Sequence, residues 1–142
     1  MKKIFSIICL MFCLGAMAQT NQVKTEGYFK SSPTHAATDT ITNAVTKNLL
    51  VQIDGYQDVI TVQPTFTKIS GTAAATVKLQ GSIDNTNFVD IADASYTVTD
   101  VATQTTAFIV SPSSYRYYRL NIVPTGTQSV KVIAPVIVRK KP

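Results

Sequence analysis

The chain has 142 residues, with 13 lysines and arginines against 8 aspartates and glutamates, one histidine, two cysteines and no tryptophan. The net charge of +5 is small and the basic residues are scattered, so the sequence does not predict a nucleic-acid partner. Threonine and valine abound while charged residues make up only 15% of the chain, a composition that favours half-buried β-strands over helices.

Residues 1–18 have the three-part layout of a secretory signal peptide. Two lysines precede an apolar run over residues 4–14, and the small residues Ala16 and Ala18 then occupy the −3 and −1 positions of a cleavage site. This run is shorter than the roughly 20 apolar residues that span a bilayer. We therefore expect cleavage after Ala18 and no stable membrane insertion of the mature chain.

Removal of the signal peptide leaves 124 residues, from Gln19 to Pro142, which suffice for one domain with its own core. Both cysteines, Cys9 and Cys13, lie in the removed segment. Disulfide bonds and thiolate catalysis are therefore excluded from the mature chain. We expect a secreted protein, either periplasmic or extracellular.

The mature sequence begins with a polar stretch over residues 19–39, in which we expect an extended arm ahead of a domain at 40–142. Leu49, Val51 and Ile53 then alternate with other residues at the period of a strand, which predicts a strand over 48–53. The dipeptide Asp54-Gly55 favours a tight turn, and a second strand is predicted over 56–62. Together these features predict a β-hairpin.

Short alternating segments separated by turn residues make up the rest of the chain. Strands are predicted over 76–83, 88–91, 107–110, 115–123 and 129–138, and no segment after residue 18 has the period of an amphipathic helix. The predicted fold is therefore all-β, a single β-sandwich or jelly roll of seven or eight strands. Its core is expected to contain Leu49, Val51, Ile53, Val77, Leu79, Leu120, Ile122, Val130 and Val132.

The last predicted strand, 129–138, contains Pro135 and is followed by Arg139-Lys140-Lys141. Proline confines a strand to an edge or a bulge, and nearby lysines commonly guard an edge. We therefore expect an edge strand that recruits a protein partner or a second copy by strand addition, with the polar arm as donor, and hence a homo-oligomer.

Catalytic and metal-binding residues are scarce. The only histidine, His35, lies in the predicted arm, and there is no Gly-x-Ser-x-Gly motif. One histidine without cysteine could complete a zinc shell only with carboxylates, so we expect no zinc. Asp84, Asp90, Asp93 and Asp100 could pair as glycosidase carboxylates do, but they lie in or beside predicted turns, where aspartate binds backbone amides. We expect no enzymatic activity, no metal site and no cofactor.

Two short segments supply candidate binding residues. The turn holding Asp84, Asn85 and Asn87, with Asp90 nearby, offers oxygen ligands of the kind that calcium prefers, and calcium binding there is left open. The second segment is the run Tyr-Arg-Tyr-Tyr-Arg at 115–119. If Leu120 and Ile122 face the core, the alternation turns Tyr118 inward and points Tyr115, Tyr117 and Arg119 outward. Outward tyrosine and arginine side chains stack on sugars, anchor protein interfaces or stiffen a sheet through cross-strand pairs.

These two segments resemble a known pattern. The first segment is VKLQGSIDNTNFVDI at 77–91, and the second is YRYYRL at 115–120. In the known pattern, two strands are joined by the motif Gly-Ser-x-Asp-Gly-Thr-Asn-aromatic, and the motif Arg-Tyr-x-Arg-Leu follows later in the chain. That pattern is found in small β-sandwich modules of phage virion accessory proteins and in discoidin-like, galactose-binding-like jelly rolls. Here Asn85 replaces the usual glycine and Phe88 the common tryptophan. The resemblance implies a β-sandwich, and the smaller Phe88 offers a sugar less stacking surface.

The sequence leaves two non-enzymatic functions open. The first is a structural or adhesive module of the cell surface, virion-like or self-assembling, that binds by a sheet face or its loops. The second is a carbohydrate-binding module that holds a surface glycan. In both cases the predicted binding residues are Asp84, Asn85, Asn87, Tyr115, Tyr117 and Arg119.

Overall fold

The computed structural model describes residues 25–31, 37–53 and 57–140. The predicted signal peptide, His35 and the Asp54-Gly55 turn lie outside these ranges. Within them all regular structure is β-strand. The strands are β1 (Thr25–Tyr28), β2 (Thr38–Thr42), β3 (Lys47–Gln52), β4 (Val59–Val62), β5 (Thr65–Gly71), β6 (Ala75–Ser82), β7 (Val89–Val98), β8 (Thr103–Thr105), β9 (Phe108–Val110), β10 (Tyr117–Pro124), β11 (Gln128–Ile133) and β12 (Pro135–Arg139).

The described strands form three antiparallel sheets of four. Sheet A has the order β1-β12-β4-β9, sheet B has β3-β10-β6-β7, and sheet C has β2-β11-β5-β8. Strands of sheet A lead into strands of sheet C across short breaks at 63–64, 106–107 and 134. Single backbone hydrogen bonds span the breaks, from Thr106 N to Pro64 O at 3.1 Å and from Gln63 N to Pro135 O at 3.0 Å. Sheets A and C therefore adjoin as two halves of one interrupted sheet.

A single hydrophobic core joins the three sheets. Sheet B contributes Leu79 and Leu120, sheet A contributes Ile60, and sheet C contributes Phe66 and Val132, each at most 1% exposed. The predicted core is confirmed, because all nine residues lie in this cluster or, for Val51, pack against it half-buried. The period-two alternation therefore identified the inward faces correctly.

The predicted all-β sandwich is confirmed, but the described residues form twelve strands in place of seven or eight. Part of the difference comes from the break at Ala134, which divides the last predicted strand into β11 and β12. The rest comes from short or polar strands, such as β2 and β8, which consist largely of threonine and lack the apolar alternation that marks a strand in a sequence.

The predicted hairpin around Asp54-Gly55 is wrong. Strand β3 pairs with β10 in sheet B, whereas β4 pairs with β12 and β9 in sheet A. Ile53 and Gln57, which flank the undescribed turn, are both 4% exposed. The chain therefore enters sheet A, and not a second strand of sheet B, after β3, so a turn dipeptide alone did not determine which strands pair.

The C-terminal segment is not an edge strand, contrary to the prediction. Strand β11 lies between β2 and β5, and β12 lies between β1 and β4. Pro135 is tolerated because it begins β12 at the break, where the Ala134 carbonyl accepts a hydrogen bond from Phe29 N at 2.9 Å. One neighbour of β12 is β1, which belongs to the segment predicted to be an extended arm, and the predicted domain boundary at residue 40 falls within β2.

Candidate functional site

Most of the predicted site residues meet at one end of sheet B. The loop between β6 and β7 carries Asp84, Asn85 and Asn87, and Tyr117 at the start of β10 pairs in register with Ser82 at the end of β6. The Ser82 hydroxyl donates a hydrogen bond to Asp84 Oδ1 at 2.8 Å. The loop and the start of β10 therefore adjoin.

Asp84 organises the β6–β7 loop. Its Oδ1 accepts hydrogen bonds from Thr86 N at 2.9 Å and Asn87 N at 2.8 Å, and its Oδ2 accepts one from Asn87 Nδ2 at 2.7 Å. The Asn87 and Thr86 amides, followed by the Asn87 and Ser82 side chains, hold the pKa of the Asp84 carboxyl well below its usual range. Asn85 adopts the left-handed φ of 60°, which asparagine tolerates where other residues resist it.

This geometry disfavours calcium at the turn. Both Asp84 oxygens already accept hydrogen bonds from the loop itself, so a cation would have to displace donors that fix the turn. Asp90 engages Lys78 and Gln80 instead of pointing to the loop's oxygens. Among the described residues, no three His, Cys, Asp or Glu side chains gather as a metal site would require.

Tyr115 does not join the outer face, contrary to the prediction. Its ring packs against the core, 6.0 Å from the Tyr118 ring in an edge-on arrangement, and covers Gly81 so closely that a side chain there would overlap it. Strand β10 begins only at Tyr117, so the alternation does not extend back to residue 115. The Tyr118 hydroxyl fixes this turn, because it accepts a hydrogen bond from Tyr115 N at 3.2 Å and lies 2.9 Å from the Ser113 hydroxyl.

Arg119 forms the centre of a hydrogen-bonded chain across the outer face of sheet B. Its Nε donates to Gln80 Oε1 at 2.6 Å, and Gln80 Nε2 donates to Asp90 Oδ1 at 2.5 Å. Lys78 Nζ donates to Asp90 Oδ2 at 2.6 Å, and the Arg119 guanidinium lies 4.0 Å above the centre of the Phe88 ring. We call these five residues, Lys78, Gln80, Phe88, Asp90 and Arg119, the Arg119 cluster.

Two electrostatic effects characterise the Arg119 cluster. The Gln80 amide and the Lys78 ammonium lower the pKa of the Asp90 carboxyl, which favours its ionised form. Burial lowers the pKa of the Arg119 guanidinium, and the negative charge of Asp90 acts in the opposite direction. Both groups carry full charges at neutral pH, and a cation–π contact attracts Arg119 to the Phe88 ring.

The sequence pattern identified Arg119 but not the residues to which it is hydrogen-bonded. Gln80 faces Arg119 because β6 pairs with β10 in that register, and Asp90 faces Gln80 because β7 pairs with β6. The next row adds a hydrogen bond from Asn121 Nδ2 to Asn48 Oδ1 at 2.9 Å. Lys78, Gln80 and Asn121 lie on the same side of sheet B as Arg119, and the register that brings them together depends on the whole sheet.

The remaining aspartates of the catalytic inventory are separate from the cluster. Asp100 Oδ1 accepts hydrogen bonds from Lys68 Nζ and Ala73 N, both at 2.8 Å, which ties the turn before β8 to the edge of sheet C. Asp93 has a φ of 59° within β7, where the pairing with β6 shifts register. Asp100 is therefore a turn residue, as predicted, whereas Asp93 lies at a bulge inside β7 and not in a turn.

No known protein family and no curated protein matches the sequence. Solved structures do resemble the fold. Subunits of the disulfide-linked pili of Bacillus endospore appendages match with a TM-score of 0.50 and 12% identity, covering 88% of this chain and 95% of that chain. The enzymatically active domain of tailspike protein 4 of bacteriophage CBA120 matches with a TM-score of 0.53 and 7% identity, covering 82% of this chain and 18% of that one. These likenesses show a jelly-roll-like β-sandwich.

The xylan-binding domain CBM22-1 of Xyn10C from Paenibacillus barcinonensis is also similar, with a TM-score of 0.49 and 11% identity over 84% of both chains. The β-sandwich resemblance predicted from residues 77–91 and 115–120 is confirmed at the level of fold by the pilus and tailspike structures. In the ranges that the structure describes, no helix has the length and apolar character to cross a membrane.

Proposed function

We propose that this protein is an exported, non-catalytic adhesive module that binds a glycan through the outer face of sheet B. The Arg119 cluster is the observation that carries this proposal. Sugars are recognised by planar polar side chains that offer donors and acceptors beside an apolar surface. The cluster combines a guanidinium, an amide, a carboxylate and an ammonium with the Phe88 ring.

The cluster is also pre-organised, which supports a role in binding. Each polar side chain is held by its neighbour on the adjacent strand, from Arg119 through Gln80 to Asp90. Side chains that are already ordered lose little conformational entropy when a ligand arrives, so more of the contact energy becomes affinity. Tyr117, half-buried with the Arg116 guanidinium 5.6 Å from its ring centre, extends the same face towards the β6–β7 loop.

The chemistry of the described residues supports a non-catalytic role. Asp84, Asp90 and Asp100 each accept two or more hydrogen bonds from protein groups, which explains them structurally. The predicted signal peptide supports export, and an exported glycan-binding sandwich fits an adhesive role at a cell surface.

Glycan-array binding followed by titration calorimetry with a bound oligosaccharide tests the proposal. Arg119→Ala should weaken binding by about tenfold to a hundredfold, since hydrogen bonds to charged groups contribute about 1.5 to 3 kcal/mol. Lys131→Ala, which removes a cation from the exposed side of sheet C, is the matched control and should leave affinity unchanged. Tyr117→Ala should also weaken binding. The proposal fails if the protein binds no glycan, or if both cation deletions reduce affinity equally.

A further inference from the structure

Sheet B continues beyond its edge strand β3. Lys30 forms an antiparallel bridge with Leu50, in which Lys30 N donates to Leu50 O at 3.1 Å and Leu50 N donates to Lys30 O at 2.7 Å. Leu50 faces Arg119 in the register between β3 and β10, while its neighbour Leu49 is buried. Residues directly opposite one another in antiparallel strands point to the same side of the sheet, so Lys30, Leu50 and Arg119 form one row on the outer face.

The charged groups of sheet B are divided between its two halves. Three carboxylates lie on the half formed by β6, β7 and their loop: Asp84, Asp90 and Asp93. The ammonium of Lys78 pairs with Asp90 on that half. The outer face of the other half, formed by β3 and β10, holds the cations Lys30 and Arg119, and neither forms an ion pair with a described residue. The described side chains therefore make the β3–β10 half positive.

Arg119 keeps donors for an anion. An arginine has five N–H donors, and the contacts among the described residues use only its Nε, which donates to Gln80. The two Nη groups remain, and such a pair binds a carboxylate through two parallel hydrogen bonds. Gln80 and the Phe88 ring, 4.0 Å from the guanidinium, hold these donors in place, so little entropy is lost when an anion arrives.

We infer that the glycan bound by this face is acidic, and that a carboxylate of its sugar lies between Arg119 and Lys30, above Leu50. This inference rests on the proposed function. The backbones of Lys30 and Arg119 are two strand spacings apart, about 10 Å at roughly 4.8 Å per spacing, so their long side chains flank a group placed between them. The half-buried Leu50 offers an apolar surface to the carbon atoms of the sugar ring.

The residues around this row favour an acidic glycan over a nucleic acid. In the next row, Asn121 donates to Asn48 at 2.9 Å, and amide side chains of this kind donate to and accept from sugar hydroxyls. A nucleic-acid strand carries one negative charge in about every 3.4 Å and is bound through many cations, whereas here two cations flank Leu50. An acidic polysaccharide combines a carboxylate with many hydroxyls and matches this surface.

Titration calorimetry with polygalacturonate, alginate and hyaluronate tests the inference, with each polysaccharide also titrated after chemical reduction of its carboxyl groups to alcohols. At least one native polysaccharide should bind, and its reduced form should bind at least about tenfold more weakly because it lacks the charge-assisted hydrogen bonds. Molar sodium chloride should weaken binding of the native form, since salt screens exposed charges. Lys30→Glu should weaken it at least about tenfold, and Lys30→Gln by a smaller factor.

Lys131→Glu is the matched control, because Lys131 is an exposed cation on sheet C and the substitution changes the net charge equally. It should leave affinity unchanged, and both glutamate variants should unfold thermally like the wild type, since Lys30 is bridged through its backbone. The inference is overturned if native and reduced polysaccharides bind alike, or if Lys30→Glu and Lys131→Glu have the same effect, although the proposed function would then stand. Tighter binding of duplex DNA or dextran sulfate than of every carboxylated polysaccharide also overturns it. If no glycan binds, acidic or neutral, the proposed function fails as well.

Discussion

At the scale of single residues, Gly81 determines where Tyr115 goes. A methyl group at Gly81 would overlap the Tyr115 ring, so Gly81→Ala must displace the ring from the core. We expect this substitution to lower the free energy of unfolding by about 1 to 3 kcal/mol, as overpacking typically does. At Gly27 an added methyl group would meet only Val136 Cγ1 at 3.7 Å, an ordinary contact, so Gly27→Ala should change stability by less than about 1 kcal/mol.

Urea denaturation of the two alanine variants measures this difference. In a background that already carries Tyr115→Ala, the cost of Gly81→Ala should shrink, because the overlapping ring is gone and the two sites are coupled. Equal destabilisation at Gly81 and Gly27 would show that the Tyr115 ring does not occupy the space above Gly81.

At the scale of strands, alternation within β6 should be visible as alternating sensitivity to substitution. Leu79 is fully buried, so Leu79→Ala should lower the free energy of unfolding by about 2 to 5 kcal/mol through lost burial and the cavity left behind. Lys78, whose ammonium pairs with the exposed Asp90, should be replaceable by alanine at a cost below about 1 kcal/mol. Chemical denaturation of both variants checks this, and similar losses at the two positions would contradict a core on one face only.

The position of β12 gives a second prediction for a strand. Removal of residues 135–142 takes away the buried Val136 and Val138 and leaves β1 and β4 without their common neighbour. The lost burial and hydrogen bonds approach the 5 to 15 kcal/mol that typically stabilise a domain, so we expect no cooperative unfolding transition. Removal of residues 140–142 alone should leave thermal unfolding unchanged. A cooperatively folded protein ending at Ala134 would restore the edge-strand prediction.

These strands show how far the sequence could determine the fold and the candidate site. Alternation places Leu79 inward and Arg119 outward because it depends only on neighbouring residues, and it identified the core on that basis. Pairing partners depend on contacts between distant segments, so β3 was assigned the wrong partner and the last strand was wrongly placed at an edge. For the same reason the sequence predicted only part of the Arg119 cluster, because Gln80 and Asp90 are brought to Arg119 by the register between neighbouring strands.

At the scale of the whole molecule, stability should fall in acid. Burial of the Asp39 carboxyl raises its pKa, but the hydrogen bonds from Lys47 and the Thr40 amide outweigh this and leave the pKa lowered. Asp39 belongs to β2 of sheet C and Lys47 belongs to β3 of sheet B. Lys47 Nζ lies 2.8 Å from Asp39 Oδ1, so this ion pair links the two sheets. Hydrogen bonds from Lys68 and the Ala73 amide likewise lower the pKa of Asp100.

The direction of these pKa shifts determines the pH range in which the protein loses stability. A carboxyl whose pKa is lower in the folded than in the unfolded state stabilises the fold above its unfolded value of about 3.9, and the contribution disappears as the pH falls through the folded value. Urea midpoints should therefore be constant near neutral pH and decrease from about pH 5 towards pH 2. Asp39→Asn should flatten part of this decrease, and an unchanged midpoint in the wild-type protein over that range would refute the argument.

The aligned breaks at 63–64, 106–107 and 134 also restrict how this sequence can change length during evolution. They lie at one level across neighbouring strands, held by the bonds from Gln63 to Pro135 and from Thr106 to Pro64. One inserted residue in a single strand would move its side chains beyond that point to the opposite face while the adjacent strands kept theirs. Insertions and deletions should therefore accumulate in the β6–β7 loop, whose turn is held by its own Asp84, and be absent from the line of breaks.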